Sequence, residues 1–110
     1  MTTWQPFEDG RTLGRAGAEG GTIILDEEHP GGARLTLERD CLRAPFAITC
    51  GVYGWLVHTR FVADEETAQH ACAAMKHALA EIVALIPAED APDAADRLDA
   101  AAAAFAERFA

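Results

Sequence analysis

The sequence predicts an α+β fold: a four-stranded antiparallel sheet of two hairpins in meander order, followed by two antiparallel helices packed on one face. Three observations predict it. Apolar residues alternate with period two between residues 21 and 62, and they recur at spacings of three and four from residue 64 to residue 109. Pro-Gly and Tyr-Gly pairs punctuate the alternating half at the places where hairpins would turn. A chain of 110 residues should bury nearly two-thirds of its extended surface, enough for one core and not for two.

Residues 1–20 carry Gly10, Gly14, Gly17 and Gly20 with little periodicity, so they read as a flexible or docked N-terminal arm. Trp4 and Phe7 call for an anchor, either on the body or on a second subunit, because exposed rings are costly. The domain proper is expected over 21–110, with the sheet in 21–62. In the first hairpin Ile23 and Leu25 share one face, as do Leu35 and Leu37, and Pro30-Gly31 suits a type II turn. Pairing Leu25 with Leu35 and Ile23 with Leu37 sets Asp26 opposite Arg34. In the second hairpin a two-residue Tyr53-Gly54 turn pairs Val52 with Trp55, Cys50 with Val57, Ile48 with Thr59 and Phe46 with Phe61, which makes one face almost wholly apolar. A longer loop starting at Gly51 is the alternative.

The first helix is expected over 64–86. Asp64 is its N-cap, Glu65 and Glu66 lie in its first turn, Pro87 stops it, and Cys72, Met75, Leu79, Ile82 and Ile86 form its apolar stripe. The second, over 91–109, starts near Pro92 and carries Ala95, Leu98, Ala102, Phe105 and Phe109.

Composition excludes several chemistries. The chain contains no Ser and no Asn, so a serine nucleophile and an N-glycosylation sequon are absent. Its one lysine, Lys76, follows Met75 in a helical stretch and cannot close a phosphate loop. Nine basic and eighteen acidic residues, a net charge of -9, would repel a phosphate backbone, so nucleic acid is not an expected partner. No apolar run reaches the roughly 20 residues of a membrane span, so no membrane contact is expected. The N-terminus has no signal-peptide pattern, and Cys41, Cys50 and Cys72 form no CxxC pair, so a reduced, cytoplasmic setting is expected. High Ala and Arg with a single Lys is a composition associated with GC-rich bacterial genomes.

No metal and no cofactor is expected. His70 and His77, with Glu66 and Glu81, lie opposite the apolar stripe of the first helix, and the two imidazoles stand about 10 Å apart along the axis, too far for one Zn²⁺. Asp26, Glu27, Glu28 and His29 follow no calcium or zinc spacing and read as a charged turn. Cys50 and Cys72 fall on apolar faces, where thiols are poor nucleophiles, while Cys41 follows Asp40.

One constellation remains, on the second face of the sheet: Asp26, Arg34, Thr36, Glu38, Thr49, His58 and Arg60, with Ile24 and Leu56 among them. The leading reading is a non-catalytic binding or protein-interaction module, its acidic helices a landing surface for a basic protein partner. The rival is a small-molecule or anion site, or an enzyme, built on His58 and Arg60 with Thr49, Tyr53 and Arg34 as binding residues. A homodimer is expected as well. The first helix should outreach its strands, about 33 Å against about 24 Å, and Trp4, Phe7, Phe105 and Phe109 exceed what a small domain easily hides.

Overall fold

The computed structural model describes residues 3–86 and 92–110. The chain runs through β1 (Gln5–Pro6), a 3-10 turn (Phe7–Gly10), β2 (Thr22–His29), β3 (Ala33–Arg39), β4 (Phe46–Val52), β5 (Leu56–Val62), α1 (Glu65–Val83) and α2 (Ala94–Arg108). The architecture is α+β, and the sheet is an antiparallel meander in the order β1-β2-β3-β4-β5.

It has five strands and not four. The extra one lies in the expected arm, where Gln5 and Pro6 pair with Glu28 and Glu27. Two residues, one of them a proline without an N–H, leave no alternation to read. The rest of the arm is docked. Trp4 is buried in the core, its ring 5.5 Å from that of His29, and Phe7 lies 3.6 Å beneath the Arg34 guanidinium. Backbone hydrogen bonds from Gly14 to Ile23 and from Ile23 to Arg15 fasten residues 14–15 alongside β2.

Both hairpins keep their strands and change their registers. In the first, Leu25 faces Leu37, Asp26 faces Thr36 and Glu28 faces Arg34, so Arg34 is a diagonal and not a direct neighbour of Asp26. A bulge between Ile23 and Leu25 sets Ile23 against Glu38, which separates Ile23 from Leu25 despite their even spacing. Gly31 is not the left-handed residue of the loop; Gly32 is, at φ 110°. The expected type II turn is therefore replaced by a three-residue loop, closed by the Gly32 N–H donating to the His29 carbonyl.

In the second hairpin Val52 pairs with Leu56, Cys50 with His58, Ile48 with Arg60 and Phe46 with Val62, one residue away from the expected register. A two-residue turn would need Tyr53 at positive φ, which its side chain disfavours. The three-residue loop 53–55 puts the positive angle on Gly54 alone, at φ 85°, and leaves Tyr53 outside the left-handed region. The shift turns His58 and Arg60 to the helix side and Val57, Thr59 and Phe61 to the other.

The core fills the space between the helices and the inner face of the sheet. Ala33, Leu35 and Leu37 from β3 and Ile48, Cys50 and Val52 from β4 meet Ala68, Cys72, Met75, Leu79 and Ile82 from α1. Each fully buried large side chain here contributes about 1.5–3 kcal/mol of transfer free energy. Asp64 caps α1 as its residue type suggests, its carboxylate accepting from the Thr67 N–H at 2.8 Å. The helix ends at Val83, short of the expected residue 86, and the 87–91 connection, with Pro87 and Ala91, lies outside the described residues.

α2 packs on α1 through Leu98, Ala101, Phe105 and Phe109, while Ala95, expected on its stripe, is exposed. Trp4, Phe105 and Phe109 are thus buried within the chain, and Phe7 is half-covered. The aromatic argument for a dimer is removed by that packing. Among the described residues no helix is long and apolar enough to cross a membrane.

Candidate functional site

The sheet face turned away from the helices is a grid of side chains from β2 to β5. One row runs Asp26, Thr36, Thr49, Thr59; the next runs Glu28, Arg34, Gly51, Val57; a third runs Ile23, Glu38, Ala47, Phe61. Gly51, with no side chain, leaves a depression in its row, between Arg34 and Val57. Around it opens a cleft of about 640 Å³, walled by Ala16, Gly17 and Ala18 of the docked arm and by the Tyr53–Trp55 loop.

Two carboxylates are buried beneath this face. Asp26, 2% exposed, accepts hydrogen bonds from Arg34 Nε at 2.9 Å and Nη2 at 2.7 Å, from Thr12 at 2.8 Å and from Thr36 at 3.2 Å. Burial by itself would raise the Asp26 pKa, yet the bonds from Arg34, Thr12 and Thr36 outweigh it and hold the carboxyl below its ordinary value. The same pairing raises Arg34. Glu38, 1% exposed, accepts from the backbone N–H groups of Glu19 and Gly21, both at 3.1 Å. It closes the 17–21 turn as a backbone carbonyl would. A side chain on Gly17 would collide with that carboxylate, so the arm can lie here only as glycine.

Of the residues expected to form the site, Arg34, Thr49 and Tyr53 line the cleft. His58 and Arg60 do not. The register shift places them on the inner side, where His58 Nε2 lies 2.8 Å from the Phe109 carbonyl and the imidazole meets the Phe105 ring edge-on at 5.9 Å. His58 is half-buried against the C-terminal end of α2, and it and Arg60 lie on the opposite face of the sheet from Thr49 and Arg34.

The cleft has little equipment for proton transfer. The carboxylate that lines it, Glu38, is held by backbone donors, and among the described residues no imidazole lines it. Burial pushes the Cys50 thiol up to about 12 and the Cys72 thiol up to about 11; burial and the Glu38 carboxylate also raise Cys41. His70, His77, Glu66 and Glu81 are exposed, with His77 3.0 Å from Glu81, and among the described residues no three His, Cys, Asp or Glu side chains are grouped to hold a metal ion. Lys76 reaches from α1 to Glu27 on β2 at 2.6 Å, a tie between helix and sheet.

What the face does offer is contact surface. Val57 is 85% exposed and Phe61 39%, with Tyr53 beside them, all on the β4–β5 side. Tyr53 was expected at the site, whereas Val57 and Phe61 were missed from sequence because the shorter turn would turn them inward. One sequence signal marks the region: between Asp40 and Asp64 there is no carboxylate, in a chain with eighteen. Comparison with models of known protein families, with curated proteins and with solved structures finds no match.

Proposed function

We propose that the protein is a non-catalytic binding module that engages another polypeptide through the β4–β5 side of its sheet. The observation that carries this reading is the carboxylate-free hairpin of an acidic chain, presenting Tyr53 in its loop and Val57 and Phe61 on an edge strand to solvent. Apolar side chains beside free backbone donors and acceptors are what strand addition uses. The exposed carboxylates of α1 and α2, among them Glu65, Glu66, Asp96 and Asp99, lie on other elements, so a basic protein partner landing there would not compete with that contact. Three unpaired thiols fit a reducing, cytoplasmic setting.

A photo-crosslinking amino acid at Val57, compared with one at Glu66 on α1, tests the reading in the cells that make the protein. A polypeptide adduct from Val57 and none from Glu66 is the expected result; the absence of any adduct from Val57 would refute it.

The cleft favours a second reading, a small-molecule or anion-binding protein with Arg34, whose side chain keeps 36% exposure, as the cation at the site. Native mass spectrometry separates the two. A retained small mass that disappears in Thr49→Trp, which fills the cleft without reaching the edge of β5, would favour this second reading.

A further inference from the structure

We propose that the polypeptide taken by this edge is a second copy of the same chain, joined β5 to β5 about a two-fold axis through Thr59; the inference rests on the binding-module reading above. The two edges of the sheet are unlike. β1 is two residues long, contains Pro6 and is paired with the acidic residues Glu27 and Glu28, which blunts it against further pairing. β5 has seven residues, pairs with β4 without a bulge, and contains neither proline nor lysine. Arg60 is its one permanent charge, and β5 lacks the other blunting devices that β1 has.

Charge selects the occupant. Two copies with a net charge of -9 each repel wherever their carboxylates face one another. The segment between Asp40 and Asp64 is the long stretch where they can meet without that cost.

The strand also complements itself. Antiparallel pairing centred on Thr59, the middle residue of β5, engages all seven residues and sets Leu56 opposite the second copy's residue 62. Val57 then faces residue 61 of that copy and Phe61 faces residue 57, so the two most exposed apolar groups of the strand cover each other on the open face. On the inner side Arg60 faces residue 58, an imidazole already engaged with the Phe109 carbonyl, and not another arginine. A centre one residue later would set Arg60 against Arg60 and one residue earlier would leave Phe61 opposite the loop. The product is a ten-stranded sheet with both outer edges blunted.

Light scattering and cysteine crosslinking on the intact protein, in a Cys41→Ala background that leaves only buried native thiols, test the arrangement. At tens of micromolar the protein should have twice the 11.8 kDa chain mass, and Val57→Lys combined with Phe61→Lys should halve it while keeping the far-ultraviolet circular dichroism. Thr59→Cys should crosslink to itself under mild oxidation, because a residue on the axis faces its own copy at a Cα separation of about 4.5–5.5 Å, within disulfide reach. Val57→Cys should not, since its counterpart lies four residues along the pairing. A wild-type mass of one chain, or crosslinking through Val57→Cys and not Thr59→Cys, would overturn the proposal. A single-chain mass together with an adduct to a different protein from the Val57 photo-crosslinker overturns the second copy and leaves the binding-module reading standing. No adduct at all removes both.

Discussion

At the centre of the open face Asp26 takes four hydrogen bonds from three side chains, and removing it leaves Arg34, Thr12 and Thr36 without their shared acceptor. Asp26→Ala should cost about 3 kcal/mol in a denaturant titration, at the low end for a broken buried pair because Arg34 can turn to water. The sign of the pH dependence follows from the depressed pKa. A carboxylate held below its ordinary 3.8 stabilises the fold fully above that value, and the contribution fades as pH falls through the lower, folded value. Thermal unfolding of wild type should therefore lose stability below about pH 4 more steeply than that of Asp26→Asn, and equal slopes would contradict this. The nearness of Asp26 and Arg34 was legible in the sequence because Arg34 is opposite Asp26 in the expected register and diagonal to it in the observed one, within reach of its long side chain in both. The contribution of Thr12 was not, because no periodicity says where a glycine-rich arm will lie.

At the scale of elements, the helices were legible and the hairpin registers were not, for one physical reason. The α1 stripe of Cys72, Met75, Leu79 and Ile82 is unambiguous because only one face of the helix is apolar. β5 offers two choices: Leu56 and Val62 on one face, Val57 and Phe61 on the other, with the polar residues divided between them. Side-chain pattern could not decide, so turn chemistry did. Gly54→Ala tests that account, since a Cβ there meets nothing within 4 Å but the residue must hold φ 85°. It should destabilise by about 1 kcal/mol through backbone conformation alone. An unchanged denaturation midpoint would show that the loop can re-form with other angles. The same choice of loop moved His58 and Arg60 from the expected face to the helix side of the sheet, where His58 meets the Phe109 carbonyl.

Across the whole molecule, the arm that carries no readable pattern is what distinguishes the two ends of the sheet. By supplying β1 and burying Trp4 it finishes one edge, and the opposite edge stays open beside Trp55. The chain has two tryptophans, and they stand at these opposite ends, Trp4 buried beside His29 and Trp55 half-buried in the β4–β5 loop. Their indoles accordingly act as separate lamps for the finished and the unfinished edge. Trp55→Phe should leave a blue-shifted emission poorly quenched by iodide, and Trp4→Phe a redder, more readily quenched one. The difference between the two single-tryptophan spectra turns the asymmetry of the sheet into an optical signal, one that can tell fraying of the N-terminal strand from events at β5 without a bound dye.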